Sequence, residues 1–390
     1  MNVLHYLPSL DPAEGGVVAH VSDLAILTSG AGVRVRIATS SAEPCPTSLR
    51  RAEGVDLVEI GPLNRRTRLL SRSQLESIEV LARDADVVHV HEAWTTANNQ
   101  IARRLRRAGK PYVVTPHGML DEWCLAHHAF RKRVYLHVLG SRLLRRAERV
   151  LLCAQGELDQ SERWFGGTPG CVVPAATDLT PFAVLPGPGA AQEQVDGAAG
   201  DDPVVLFLSR VHPKKGVEVL IDAASMLASG GQRFRLIVAG PGEEKYAAQL
   251  RERCKQGGIE DRCEFVGMIS GSLKVSLYER ASVFALPTQQ ENFGLVLTEA
   301  MAARTPVITT KGVDIWPVIE ASGGGFIVDR TPEAFARAIK HVLDDLEAGE
   351  HMGQAGRDWV FAHLGCEVLA ARFIEIYREA IEAFAARTRR

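Results

Sequence analysis

Short, unbroken apolar runs alternate along this chain with longer stretches in which apolar residues recur at helical spacing. The runs Val3–Leu7, Val33–Ala38, Val55–Ile60, Val87–Val90, Tyr112–Thr115 and Val150–Cys153 predict one set of strands. A second set follows at Val204–Leu208, Phe234–Ala239, Cys263–Phe265, Ala281–Leu286, a run opened by Pro306, and Phe326–Val328. Helical spacing predicts helices after Gly15-Gly16, over 73–83, 96–108, 217–227, 294–303 and 332–346, and from Gly356 to the end. Strands that are apolar on both faces need helices above and below them, which predicts parallel, doubly wound sheets. Pro181 to Pro203 interrupts the alternation with Pro, Gly, Ala and acidic residues in no period, as a linker would. The expected fold is α/β with two Rossmann-like domains: residues 1–178, a linker at 179–203, and residues 204–365. A chain of 390 residues is long enough for each to bury its own core.

Composition narrows the setting. A formal net charge of −2 gives no basis for nucleic-acid binding, and no nucleic-acid partner is expected. The seven cysteines form no Cys-x-x-Cys pair, which fits a reducing cytoplasm. Met1 to Leu10 lacks the basic lead of a secretion signal, and no apolar run approaches the ~20 residues that span a bilayer. A soluble or peripheral protein is therefore expected. Residues 103–149 are rich in arginine with apolar and aromatic residues between. Two readings stay open for them: a half-buried helix with a basic outer face, or contact with an anionic membrane surface or lipid-diphosphate acceptor at the inner face of the membrane.

In doubly wound sheets, ligands bind beyond the carboxyl ends of the strands. In the first half that rule selects Gly15 and Gly16 after the first strand, a close-approach loop without a full Gly-x-Gly-x-x-Gly fingerprint. It also selects His89, His91 and Glu92, then His117 beside Gly118. His89 and His91, two apart, share one face of their strand and read as structural. His117 has two readings, a core histidine or a ligand contact. Asp84-Ala85-Asp86 lies at the amino end of its strand and reads as a solvated turn. His127-His128 points its two rings apart, so no metal site is expected. In the second half the rule selects Arg210 and Lys215, which straddle a strand-to-helix loop and suit a diphosphate. Gly240-Pro241-Gly242 forms another close-approach loop. Glu291 precedes a helix whose first free N–H groups, at Phe293, Gly294 and Leu295, suit a phosphate, and Glu299 sits inside that helix.

Glu291-Asn292-Phe293-Gly294-Leu295 with Glu299 at the eighth position after Glu291, preceded by a strand and followed by an Ala-rich helix and Pro306, resembles the signature of family 4 (group 1) glycosyltransferases. The resemblance covers nearly the whole chain and extends to members that assemble cell-surface polysaccharides. It implies the GT-B fold, two domains facing across a cleft, with residues 366–390 crossing back to the first domain. It implies a retaining transfer from a nucleotide-diphosphate sugar, UDP-sugars ahead of GDP-sugars, to a hydroxyl of a glycan or lipid-linked acceptor, with no cofactor and no metal. The catalytic residues would be His117, Arg210, Lys215 and Glu291. Gly15, Gly16, Gly240, Gly267, Met268, Ile269, Asn292, Phe293, Gly294, Leu295 and Glu299 would bind the donor. Same-face attack assisted by the leaving phosphate is what the resemblance suggests; a double displacement through Glu291 stands beside it. Related epimerases and phosphorylases, or a silent sugar-nucleotide sensor, are the rival classes. Four positions depart from the family pattern. Ala175-Ala176 replaces Asn-Gly, Ser209 replaces Gly, and Arg304 replaces a Gly, which implies a less tightly turned helix end.

Overall fold

A computed structural model describes every residue except Arg65, His127, His128 and Arg390, and the side chain of Ala129. The His127-His128 pair therefore lies outside the described residues. The chain forms two compact units, one of Met1–Asp178 with the segment from Cys366 onward, the other Leu179–Gly365.

The first unit is built on a seven-stranded parallel sheet: β1 (Asn2–Tyr6), β2 (Arg34–Thr39), β3 (Val55–Glu59), β4 (Val87–His91), β5 (Tyr112–Thr115), β6 (Arg149–Leu152) and β7 (Gly170–Val172). Their order is β3-β2-β1-β4-β5-β6-β7. The order reverses between β1 and β4, which makes that junction the switch point where a crevice opens beyond the carboxyl ends. Register there places His5 opposite His89. The short β7, only half-buried, was not expected.

Both faces of this sheet are covered, as continuous apolar strands require. Val18, Val21, Leu24 and Ala25 of the Gly16–Gly30 helix pack one face together with Phe373, Ile376, Tyr377 and Ala380 of the Cys366–Thr388 helix. That last set, at i, i+3, i+4 and i+7, is one face of a helix. The single long helix expected from Gly356 onward is instead two, Leu346–Leu364 and Cys366–Thr388, broken where Gly365 takes an extended conformation. Asp84 and Asp86 occupy a turn: Asp86 accepts the Asn2 N–H at 2.8 Å and Asp84 faces Arg36 at 3.3 Å.

The second unit holds six parallel strands: β8 (Val204–Leu208), β9 (Arg235–Ala239), β10 (Cys263–Gly267), β11 (Val283–Leu286), β12 (Val307–Thr309) and β13 (Gly325–Ile327). Their order is β10-β9-β8-β11-β12-β13, with the switch point between β8 and β11. The segment 179–203, expected as a linker, is folded into this unit. It forms helical turns at Thr180–Ala183, Gly189–Gln194 and Asp196–Ala198, and buries Phe182, Ala191, Val195 and Ala198. Its backbone is held from afar: Gly187 N–H donates to Glu279 at 2.8 Å, and Arg280 donates to the carbonyls of Ala198 and Gly200 at 2.8 and 2.9 Å. Those partners lie 80 to 92 residues further on, so nothing local revealed them.

Arg304 corrects another expectation. It ends the Leu295–Ala302 helix with φ of 64°, the left-handed conformation that a glycine would take. The turn stays tight despite the side chain, with a strain cost of about 1–2 kcal/mol for a side chain in that region. A Cβ on Gly353 would come within 1.9 Å of the Arg304 carbonyl, so the neighbouring helix requires the backbone there.

Candidate active site

At the second unit's switch point, two loops are stitched together. The loop after β8 turns through Pro213–Lys215 into Gly216, whose φ is 76°. A Cβ on Gly216 would lie 2.1 Å from the Pro287 carbonyl, so only glycine lets this loop approach the end of β11. Gln289 N–H donates to the Lys214 carbonyl at 2.8 Å, and Glu291 N–H donates to the Gly312 carbonyl at 2.7 Å. Arg330 donates to the Pro287 carbonyl at 2.9 Å and pairs with Glu218 at 3.2 Å, bracing the same junction from below.

This stitching brings the Lys215 ammonium into an ion pair with Glu291. Their side chains are 10 and 22 % exposed. Burial, with the charges of Lys214 and Arg210, presses the Lys215 pKa down to about 7. The Glu291 carboxylate in direct contact acts in the opposite direction and favours the charged ammonium. Arg210 is exposed just beyond β8. Two cations thus border this junction, Lys215 largely buried and paired, Arg210 open to solvent.

Glu299 projects from the Leu295–Ala302 helix and is oriented by two groups that the sequence did not single out. Lys274 donates to its Oε1 at 2.7 Å and the Tyr278 hydroxyl to its Oε2 at 2.9 Å. Both come from the Gly271–Arg280 helix, one turn apart, and Tyr278 is fully buried. An ordinary Lys and Tyr on a helix give no sign of this role. The Leu295–Ala302 helix begins at Gly294, in the left-handed conformation with φ of 73°, and no side chain caps it. Phe293 is buried beside it. The glycine loops also converge: Gly240 N–H donates to the Gly267 carbonyl at 2.6 Å, and a Cβ on Gly240 would sit 1.9 Å from the Ser209 carbonyl. Met268 lies on the outer side of this junction, 67 % exposed, with Ile269 half-buried after it. A cavity of about 660 Å³ opens nearby along β12 and β13, lined by Thr288, Lys311, Asp329, Arg330 and Arg337 among others. Its lining includes none of Arg210, Lys215, Glu291 and Glu299.

In the first unit, Gly15 has φ of 84° and caps the Gly16–Gly30 helix, and the space over Gly16 is open. Two residues at strand ends, Glu92 and His117, have φ of 73° and 57° without being glycine. Such strain persists where the surroundings impose it, and it gathers at functional sites. Glu92 accepts the Thr95 hydroxyl at 3.0 Å, and burial raises its carboxyl pKa. His117 is half-buried, its Nε2 3.0 Å from His91 Nδ1. His89 is structural: its two nitrogens meet Tyr377 at 2.9 Å and Thr115 at 2.7 Å. His5, His20 and Tyr377 complete this cluster, and none was identified from the sequence, where each sits alone in an apolar element.

Residues 190–359 match the family model described as glycosyl transferases group 1, and residues 15–176 match the one described as glycosyl transferase 4-like domain. The D-inositol 3-phosphate glycosyltransferase of Saccharomonospora viridis is 28 % identical over 396 residues, covering 95 % of this chain and 90 % of that protein. Among solved structures, sucrose-phosphate synthase from Thermosynechococcus elongatus superposes with a TM-score of 0.79 at 23 % identity, over 98 % of this chain and 99 % of that one. Anabaena HepE, solved in complex with UDP and glucose, superposes with a TM-score of 0.77 at 20 % identity, over 96 % and 99 %.

Proposed function

This chain belongs to the group 1 glycosyltransferases, with their GT-B fold, and we propose that it transfers a hexosyl group from a nucleotide-diphosphate sugar to an acceptor hydroxyl with retention at the anomeric carbon. The observation that carries this reading is the Lys215–Glu291 ion pair on loops at the switch point of one sheet, with the Arg210 charge acting on Lys215 and Glu299 in the helix that follows Glu291.

The chemistry needed is stabilisation of a leaving diphosphate. As the bond between the anomeric carbon and the β-phosphate oxygen breaks, its electron pair stays on the phosphate. Arg210, Lys215 and the uncapped amides at Gly294 and Leu295 meet that charge, and a fixed set of donors serves without a metal ion. The acceptor oxygen then bonds to the anomeric carbon from the same side, and its proton passes to the departing phosphate oxygen. Glu299 accepts the ribose hydroxyls, held in place by Lys274 and Tyr278. Glu291, released from Lys215 by the incoming diphosphate, takes sugar hydroxyls. Gly240, Gly267, Met268 and Ile269 flank the base by backbone contacts. His117 meets a hydroxyl of the donor sugar, and Gly15-Gly16 gives acceptor and phosphates close backbone approach. UDP-sugars stand ahead of GDP-sugars in this reading.

The acceptor is a glycan or lipid-linked hydroxyl, and the basic segment 103–149 is assigned to an anionic membrane surface. Phe130, Val134 and Val138 are exposed at four-residue spacing along the helical stretch 129–144, and Arg142 and Arg146 continue the series. Apolar residues that enter the interface beside cations suit anionic lipid. No helix among the described residues is long and apolar enough to cross a membrane.

Nucleotide release from a panel of UDP- and GDP-sugars tests the central reading, with the anomeric configuration of the product read by NMR. Release of UDP or GDP and a product of retained configuration is expected. An inverted product, or no turnover with any nucleotide sugar that binds, would overturn it. Co-sedimentation with vesicles containing anionic lipid, lost on Phe130→Ser with Arg142→Glu, tests the membrane assignment separately.

A further inference from the structure

Five histidines meet inside the first unit at its switch point, far more than an apolar sheet edge needs. His5 lies on β1, His89 and His91 on β4, His20 on the Gly16–Gly30 helix and His117 just past β5. Three of them form a line: His5 Nδ1 is 3.0 Å from His91 Nε2, and His91 Nδ1 is 3.0 Å from His117 Nε2. The rings stack along the line, with centroids 5.3 Å apart at each step. At the inner end His5 Nε2 is buried and has no hydrogen-bond partner. At the outer end His117 is only half-buried.

We propose that this line fixes His117 as the neutral imidazole protonated on Nδ1, so that it offers a hydrogen-bond donor outward, with His91 and His5 as positioning residues. Each N···N link holds one proton, and each neutral ring carries one, so the three rings must all point the same way. In one sense, His5 Nδ1–H donates to His91, His91 Nδ1–H donates to His117, and His117 keeps its proton on Nδ1. In the other sense every proton moves to the opposite nitrogen, and His117 Nδ1 becomes an acceptor. The two senses differ at the buried end. The second leaves an N–H at His5 Nε2 with no acceptor, whereas the first leaves only a lone pair. An orphaned buried donor is the rarer and costlier defect, so the first sense holds.

The surroundings keep the line uncharged. The rings and hydroxyls facing it are those of His20, His89, Phe373 and Tyr377, all without negative charge. Burial holds all three imidazoles of the line far below their usual pKa. A metal ion is the other use of such a cluster, since ligand atoms of His5, His89 and His91 lie within 4.8 Å of one another. Both nitrogens of His89 and of His91 are already hydrogen-bonded. A cation there would have to break those bonds.

The inference rests on the proposed function only for what the donor meets, a sugar oxygen. The test is long-range proton–nitrogen correlation NMR on the full chain labelled with ¹⁵N-histidine near pH 7.5, with His117 assigned by the signals lost in His117→Ala. Protonation of His117 at Nδ1 alone is expected; protonation at Nε2, at both nitrogens, or a mixture would overturn the proposal. His91→Asn can donate an amide N–H from the place of Nδ1, and should keep the His117 pattern and the donor KM. His91→Leu should lose the pattern and raise that KM by about tenfold, the size of one hydrogen bond, with kcat changed less. Equal KM values for the two variants would also overturn it. Where His91→Leu does not fold, the unaltered chain still decides the tautomer. Titration with UDP-sugar separates the two levels: a His117 that is Nδ1-protonated but unmoved by the sugar removes its proposed contact and leaves the tautomer standing.

Discussion

Lys215 and Glu291 stand 76 residues apart in the chain and meet as a largely buried ion pair at the switch point of the second sheet. Each neutralises the other in the unliganded protein. A diphosphate that takes Lys215 must displace Glu291, and so frees that carboxylate for the sugar. On the proposed function, binding of the nucleotide and arming of Glu291 would be one event.

Glu291→Gln should separate these effects. Without the competing carboxylate, Lys215 is free for phosphate, and UDP should bind as tightly or up to about tenfold more tightly. Sugar transfer should fall by about two orders of magnitude. Calorimetry with UDP alongside a nucleotide-release assay reads both; weaker UDP binding would show that the pair does not gate the diphosphate.

Arg210 differs from Lys215 in exposure, and the consequences of removing them should differ. Arg210→Ala should lower turnover by about 100-fold. It should leave unfolding within about 0.5 kcal/mol of the parent, as for other exposed positions. Lys215→Ala should lower turnover to a similar degree but also destabilise, because it leaves a buried Glu291 carboxylate unpaired. Denaturant unfolding distinguishes the two variants.

Glu299 depends on Lys274 and Tyr278 for its orientation. Glu299→Gln should weaken UDP binding by about tenfold, through loss of a charged acceptor. Tyr278→Phe removes one holding bond and should cost about 1 kcal/mol of stability, with a smaller loss of UDP affinity. Equal affinity in Glu299→Gln by calorimetry would remove this residue from the nucleotide site.

The histidine cluster makes the first unit acid-sensitive. Burial lowers the pKa of His5 to about 3 and of His20 to about 4. Above the unfolded value of 6.5 both states are neutral there and stability is unaffected. Below it the unfolded chain takes protons that the folded chain refuses, so stability falls with pH until the folded pKa values are reached. At pH 5.5 the loss is about 1.4 kcal/mol for each of these two histidines. Urea unfolding between pH 8 and 5 measures it; a flat profile below 6.5 would contradict the burial of the cluster.

Much of the architecture was legible because strands apolar on both faces can be satisfied only between helices, and that pattern is local. So was the placing of Arg210, Lys215 and Glu291 on loops beyond strand ends, and of Glu299 in the helix that follows. Tertiary structure decided what those residues do to one another. The adjacency of β8 and β11 makes a partner of Glu291 for Lys215, and a neighbouring helix turns Lys274 and Tyr278 toward Glu299. Packing made a folded part of the second unit out of 179–203, whose partners lie far along the chain, and imposed a glycine-like turn on Arg304. His5 on β1 and His91 on β4 carry no local mark, because a histidine within an apolar strand looks the same whether it stands alone or in a line. Only strand register and the helix of residues 366–388 brought those rings together, and hydrogen bonding between distant elements is what a sequence pattern cannot express.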